Sequence, residues 1–240
     1  MNEIIYAEKL SKQYGDIKAL ANVTFSLKKG IWGLIGPNGA GKSTLLNLIW
    51  GIIHASSGNL SVLNRDPKRD EIQLKKNIGV CFTSQKFPYG YICKDYLYTV
   101  SKAYGISSAS IDQLIRFFLE KLELGSILER EINGFSSGMK QKLAVIQCLI
   151  GFPSLAVMDE PFANLDPLAK INVRELIREY YQTIGTNFLI SSHSLEDLGN
   201  ICTGYLFINQ GRLLWKGSCD EIPHNDLTEF YLTTIKKKLE

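Results

Sequence analysis

The stretch Ile31–Ile53, IWGLIGPNGAGKSTLLNLIWGII, decides the fold. It opens on a short apolar run, Ile31 to Gly36, of the length of a buried strand. A glycine-rich loop follows, and then TLLNLIWGII repeats its apolar residues at helical period. Strand, loop and helix in that order begin a parallel α/β core. The loop GPNGAGKS, Gly36 to Ser43, satisfies G-x-x-x-x-G-K-[ST]. Its glycines let consecutive backbone N–H groups curl around phosphate oxygens. The helix N-terminus adds positive potential there, and Lys42 adds a point charge. Ser43 can place its hydroxyl on Mg²⁺, and Thr44 can donate to phosphate.

Working outward, the first thirty residues carry short apolar runs, Ile4–Tyr6 and Leu20–Leu27, around a turn at Gly15–Asp16, which predicts antiparallel strands. The run IGVCF, Ile78 to Phe82, predicts a strand leading to Gln85. From about residue 87 the character changes. Ile111, Leu114, Ile115, Phe118 and Leu122 share one helical face, and no strand-like run separates Asp95 from Ile132. The α/β pattern resumes with a helix after Gly138, the strand SLAVMD, a helix from Leu168 to Tyr181, the strand NFLIS and a hairpin across Gln210–Gly211. The expected division is one domain. An antiparallel β and P-loop core covers about 1–86 and 150–240, and a helical insert covers about 87–149. Lys236 to Lys238 read as a solvated tail, with a membrane-surface role as the lesser alternative.

Composition excludes other classes. The 240 residues are 45% hydrophobic and 21% charged, which excludes disorder, collagen and coiled coil. Twenty-seven Lys and Arg against 24 Asp and Glu give +3, too weak a charge to argue for nucleic acid. No apolar run reaches the roughly 18–20 residues of a membrane span, and MNEIIYAEKL lacks the features of a signal peptide. Five cysteines without a CxxC pair read as reduced core thiols, with a cytosolic setting expected.

Two further stretches carry chemistry. LAVMDE, Leu155 to Glu160, is an apolar strand ending in two carboxylates, where an unpaired charge is costly. Asp159 is placed to hold Mg²⁺ through water, and Glu160 to polarise an attacking water. NGFSSGMKQK, Asn133 to Lys142, sets Ser136 and Ser137 at the start of an apolar-periodic helix, either as an anion site or as plain N-capping.

With these motifs in order over nearly the whole chain, the sequence closely resembles the ATP-binding subunit of ABC transporters. The matching residues are the loop Gly36–Thr44, Gln85 at the Q-loop, FSSGM at 135–139 in place of LSGGQ, and Asp159–Glu160. ANLD (Ala163–Asp166) follows as the D-loop, and His193 in SSHSLED as the switch histidine. Tyr14 matches the aromatic that stacks on adenine. The resemblance implies a P-loop NTPase core with an N-terminal antiparallel β subdomain and an inserted helical subdomain. It implies ATP bound by Tyr14, Gly36, Asn38, Gly39, Gly41, Lys42, Ser43 and Thr44. Ser136 and Gly138 would serve the γ-phosphate of a partner copy. Mg²⁺ would be held by Ser43, Gln85 and Asp159, with Glu160 as general base and His193 and Gln85 as its catalytic companions. Read alone, Tyr14 is a half-buried strand aromatic, His193 a satisfied edge residue, Gln85 a strand cap and Asp166–Pro167 a helix start.

The signature departs from the common form at Phe135, Ser137 and Met139, and signatures ending in Gly-Met-Lys-Gln resemble those of exporters. The resemblance further implies two copies, identical or not, pairing head to tail around two ATP molecules. Separate integral-membrane subunits would dock on the insert and on the aromatic segment Lys86–Tyr96, at the inner face of the cell membrane. Competing readings are a kinase or GTPase, an assembly-remodelling ATPase of the same family and a non-hydrolysing regulatory subunit. The first lacks an Asn-Lys-x-Asp guanine reader. The second usually carries paired units or long coiled coils. The third conflicts with Glu160.

Overall fold

The computed structural model describes residues 3–83 and 85–239. β1 (Glu3–Tyr14) turns back through Gly15–Asp16 into β2 (Ile17–Lys28), forming the antiparallel pair that the alternation predicts. β3 (Ile31–Ile35) is buried along its whole length and leads through the glycine loop to α1 (Lys42–Ile49). This helix is shorter than its apolar run suggests. Gly51 takes φ +74°, so Ile52 and Ile53 fall beyond the helix. β4 (Ser57–Val62), a polar strand with no clear signal in the sequence, pairs with the second edge of β1. α2 (Glu71–Lys75) precedes β5 (Ile78–Cys81).

The helical stretch contains α3 (Cys93–Ala103) and α4 (Ser108–Lys121). Ile111, Ile115, Phe118 and Leu122 are buried on the predicted face, and Leu114 is half-buried. α5 (Ser137–Leu149) follows, then β6 (Leu155–Asp159) and α6 (Pro167–Glu179), which runs into a π-helical turn at Tyr180–Ile184. β7 (Asn187–Ser192), α7 (Leu195–Leu198), β8 (Gly204–Asn209), β9 (Arg212–Ser218) and α8 (Leu227–Leu239) complete the chain.

The strands form a three-stranded sheet, order β2-β1-β4, and a six-stranded sheet, order β5-β6-β7-β3-β8-β9. In the larger sheet β5, β6, β7, β3 and β8 run parallel, and only the β8–β9 hairpin is antiparallel. Strands buried on both faces need continuous apolar runs, which is how β3, β6 and β7 read. Alternation along β6 splits its side chains between two layers. Leu155 and Val157 face a core shared with α1 and the antiparallel sheet, while Ala156 and Met158 face one shared with α5 and α6.

The lysine run is not a free tail. Lys236 and Lys237 lie exposed in the last turns of α8, whose Leu227, Phe230, Tyr231 and Ile235 pack on the core. Phe230 and Tyr231 meet the Phe207 ring at 5.9 Å and 5.1 Å between centroids. The Lys238 side chain lies outside the described residues. All five cysteines are free thiols; burial pushes Cys81 up to about 12, so it is unreactive.

Candidate active site

In an open parallel sheet, ligands bind beyond the carboxyl ends of the strands, and here four neighbouring strands deliver polar residues to that edge. β3 delivers the loop from Gly36, β6 delivers Asp159 and Glu160, β7 delivers Ser191 and His193, and β5 is followed by Thr83. They meet at a cleft of about 530 Å³. It is lined by Pro37–Thr44, Thr83, Asp159 and Glu160, with Ile17–Ala19 on one side and Gln210–Gly211 on another.

The loop is fixed from below and from the side. A Cβ on Gly36 would stand 2.2 Å from the Ile208 carbonyl, so only glycine lets β8 approach here. The β8–β9 turn then clamps the loop. Gly211 N donates to Ala40 O at 2.9 Å, while Ala21 N donates to Gly211 O at 2.8 Å. Gly211 has φ +71°, and a Cβ there would stand 2.6 Å from Ala19 O. In the sequence this pair reads only as a hairpin turn.

The charged centre is compact. Lys42 Nζ donates to the carbonyls of Gly36 at 2.7 Å and Pro37 at 3.3 Å, and lies 3.8 Å from Glu160 Oε1. Burial holds the Lys42 ammonium below its usual range, against the opposing pull of Glu160 and Asp159. The other Glu160 oxygen, Oε2, lies 2.8 Å from His193 Nδ1. Burial lifts the Glu160 carboxyl above the usual carboxylate range; His193 and Lys42 oppose that shift and Asp159 adds to it. Glu160 also sits at φ +50°, a left-handed backbone costing about 1–3 kcal/mol in a side-chain-bearing residue. Such strain at a partly buried acid with a raised pKa fits a general base.

Asp159 is held on both sides. Ser43 Oγ donates to Oδ2 at 2.8 Å, Ser191 Oγ donates to Oδ1 at 2.5 Å, and Thr83 Oγ1 donates to its carbonyl at 3.1 Å. Ser191 and Thr83 carried no motif, although a buried serine inside the apolar strand NFLISS is a signal in itself.

Among the described residues, no group of three or more His, Cys, Asp or Glu could cage a metal. Ser43 and Asp159 offer two hard oxygens side by side. That donor set fits Mg²⁺, which takes one or two protein oxygens and completes its shell with phosphates and water.

The remaining predicted residues lie outside the cleft lining. Tyr14, at the end of β1, is 46% exposed, with the Lys12 ammonium 5.0 Å from its ring centroid. Ser136 caps α5 by accepting from Met139 N at 3.2 Å, and a Cβ on Gly138 would stand 3.0 Å from Asn164 O. Asp166 caps α6 by accepting from Ala169 N at 2.9 Å, with Pro167 at its first position. Gln85 is turned away, its Nε2 donating to Gln147 Oε1. Among the described residues, His193 touches the site through Glu160.

Behind the site, Asp197 on α7 receives Lys170 Nζ at 2.9 Å and Arg174 Nη2 at 3.3 Å, both from α6. The helix following Asp166 is thereby tied to the short helix following His193.

Comparison with known proteins points to one family. The family model described as ABC transporter matches residues 20–163. A lantibiotic transport ATP-binding protein of Streptococcus pyogenes is 33% identical over 214 residues, covering 89% of this chain and 90% of that protein. A Nod factor export ATP-binding protein of Burkholderia orbicola is 29% identical over 210 residues, covering 87% of this chain and 69% of that one. A solved ATP-binding subunit of an ABC transporter superposes with TM-score 0.89 at 27% identity, covering 97% of this chain and 99% of its own.

Proposed function

The chain belongs to the ABC transporter ATP-binding family, and we propose that its ATP hydrolysis powers export through separate membrane subunits. The observation that carries this reading is the arrangement at the end of β6, where Glu160 lies between Lys42 of the phosphate loop and His193. ATP binds with its phosphates over the N–H groups of Gly36–Thr44. Lys42 leaves Glu160 for the phosphates, and Glu160, freed of that pair, takes the proton of the attacking water. His193 holds the carboxylate in line through Oε2. Ser43 and Asp159, with Gln85, would hold Mg²⁺, which when bound neutralises phosphate charge. Tyr14 would stack on the adenine.

Ser136 and Gly138 lie at the start of α5, outside the cleft, where they can serve the phosphate of a second copy. Pairing therefore completes each site. No described helix is long and apolar enough to cross a membrane. In this reading the membrane path belongs to other chains, as the names of relatives given as ATP-binding proteins of transport systems support. The aromatic segment near α3, with Tyr89 91% exposed, is the surface they would grip from the inner face of the membrane. One of the relatives is named for transport and the other for export; the export name and this chain's own Gly-Met-Lys-Gln signature support the export direction. The partition into a core at 1–86 and 150–240 and an insert at 87–149 belongs to the same reading.

The test is Glu160→Gln. ATP binding should persist while turnover falls about 10²–10⁴-fold. Specific activity of the parent should rise with protein concentration and lose that dependence on co-purification with the membrane subunit. Glu160→Gln turnover within a few-fold of the parent would remove Glu160 as the base. Full activity in a concentration-independent monomer would remove the paired site.

A further inference from the structure

The hairpin between β8 and β9 closes through two residues only, because Asn209 pairs with Arg212. Both turn residues are left-handed, Gln210 at φ +46° and Gly211 at φ +71°. A two-residue turn with both φ positive is type I′, which prefers Asn, Asp or Gly at its first position. Gln210 is none of these, so the turn carries strain that an asparagine would relieve. Strain kept at the edge of a binding cleft points to a use for the side chain. Gln210 lines the cleft, and its side-chain amide makes no hydrogen bond among the described residues.

The surroundings say what that amide meets. A Cβ on Gly41 would stand 2.7 Å from Ala19 O and 3.6 Å from the Gly211 Cα, so the phosphate loop, β2 and the turn converge there. Tyr14 pairs with Ile17 at the turn of the β1–β2 hairpin. A nucleotide with its phosphates over Gly41 and Lys42 and its base on Tyr14 therefore passes Lys18 and Ala19 with its sugar, opposite Gln210. Lys18 only donates, and its charge favours phosphate. An amide donates and accepts, as a hydroxyl does.

We propose that Gln210 is a specificity-determining residue of the nucleotide site, its amide hydrogen-bonding a ribose hydroxyl. The proposal rests on the readings of Gly36–Thr44 as the phosphate loop and of Tyr14 as the adenine platform given above. It gives the turn two tasks. Its backbone holds the phosphate loop through Gly211, while the Gln210 side chain reads whether the triphosphate carries a ribose.

Equilibrium binding to the full chain tests this, with Mg²⁺ chelated so that no ligand turns over. The probes are ATP, its 2′-deoxy and 3′-deoxy analogues and inorganic triphosphate. The parent should bind at least one deoxy analogue about 2- to 10-fold more weakly than ATP, the equivalent of one hydrogen bond. Gln210→Ala should weaken ATP by that factor, bind ATP and both analogues alike, and leave triphosphate unchanged. Gln210→Asn separates the contact from the turn, since it suits the turn better but withdraws the amide by one methylene. It should raise the melting temperature yet lose the preference for ATP as Gln210→Ala does. A parent that binds both analogues as tightly as ATP would overturn the proposal. So would either variant that keeps the parent's preference. Loss of triphosphate binding as large as the loss of ATP would make Gln210 a support of the loop and overturn it too. Tyr14→Ala judges the underlying reading separately. If it costs ATP and triphosphate equally while Gln210 still sets the preference, adenine is not on Tyr14 and the ribose contact stands.

Discussion

Ser191 joins the two adjacent carboxylate residues at the end of β6 through one hydroxyl, donating to Asp159 Oδ1 at 2.5 Å and accepting from Glu160 N at 3.0 Å. The neighbouring strand thus sets both the direction of the Asp159 carboxylate and the strained backbone that aims Glu160.

Ser191→Ala should therefore weaken Mg²⁺-dependent ATP binding about 10- to 100-fold, the usual cost of losing the group that orients a metal ligand. Titration of Mg²⁺ against nucleotide binding measures it. An unchanged Mg²⁺ requirement would show that Ser43 alone orients Asp159.

Stability should depend on pH through Glu160. Burial raises its folded pKa above the ordinary value of 4.5. Between those two values the folded chain keeps a proton that the unfolded chain has released. Raising pH through the window therefore removes stability. Lys42, Asp159 and His193 face this carboxyl, and Glu160→Gln leaves all three in place. Melting temperatures of parent and Glu160→Gln, followed from below pH ~4.5 towards neutrality, should diverge against the parent. A constant gap would contradict the shift.

Asp197→Ala should destabilise the fold by about 3 kcal/mol, at the low end for stranding buried charge, because Lys170 and Arg174 remain partly solvated. Their side chains are 30% and 21% exposed against 9% for Asp197. Denaturant unfolding at neutral pH reads this directly. A loss below about 0.5 kcal/mol would place the cluster among ordinary surface pairs.

Tyr14→Ala should weaken ATP binding about 5- to 150-fold, the equivalent of roughly 1–3 kcal/mol of base stacking. Binding of inorganic triphosphate should hardly change. Equal loss for both ligands would assign Tyr14 to the β1–β2 pair and leave adenine to Ile17 and Lys18, which do line the cleft.

What could be read from the sequence follows from where the physics is local. β3, β6 and β7 announce themselves because a strand covered on both faces must be apolar throughout. The glycine loop announces itself because phosphate binding needs a particular backbone. β4 does not, since SGNLSV at a sheet edge needs neither alternation nor bulk. α8 was obscured by its lysines, although Leu227, Phe230, Tyr231 and Ile235 carry the helical spacing. Contacts between distant side chains are least legible. Nothing in the chain announces that Gln85 and Gln147, two ordinary amides, hold one another, or that the turn at Gly211 clamps Ala40.

The order β6-β7-β3 has a consequence for how the molecule tolerates change. Glu160, His193 and Gly36 each stand one residue past the end of adjacent strands. Their lateral separations are thus measured out by backbone ladders about 4.8 Å apart, much as marks on a ruler. The long connections between these strands set none of that spacing. Insertions in the connections can be absorbed, even large ones. One residue added within β6 would instead slide Glu160 past its neighbours and turn Met158 and Val157 to the wrong layers.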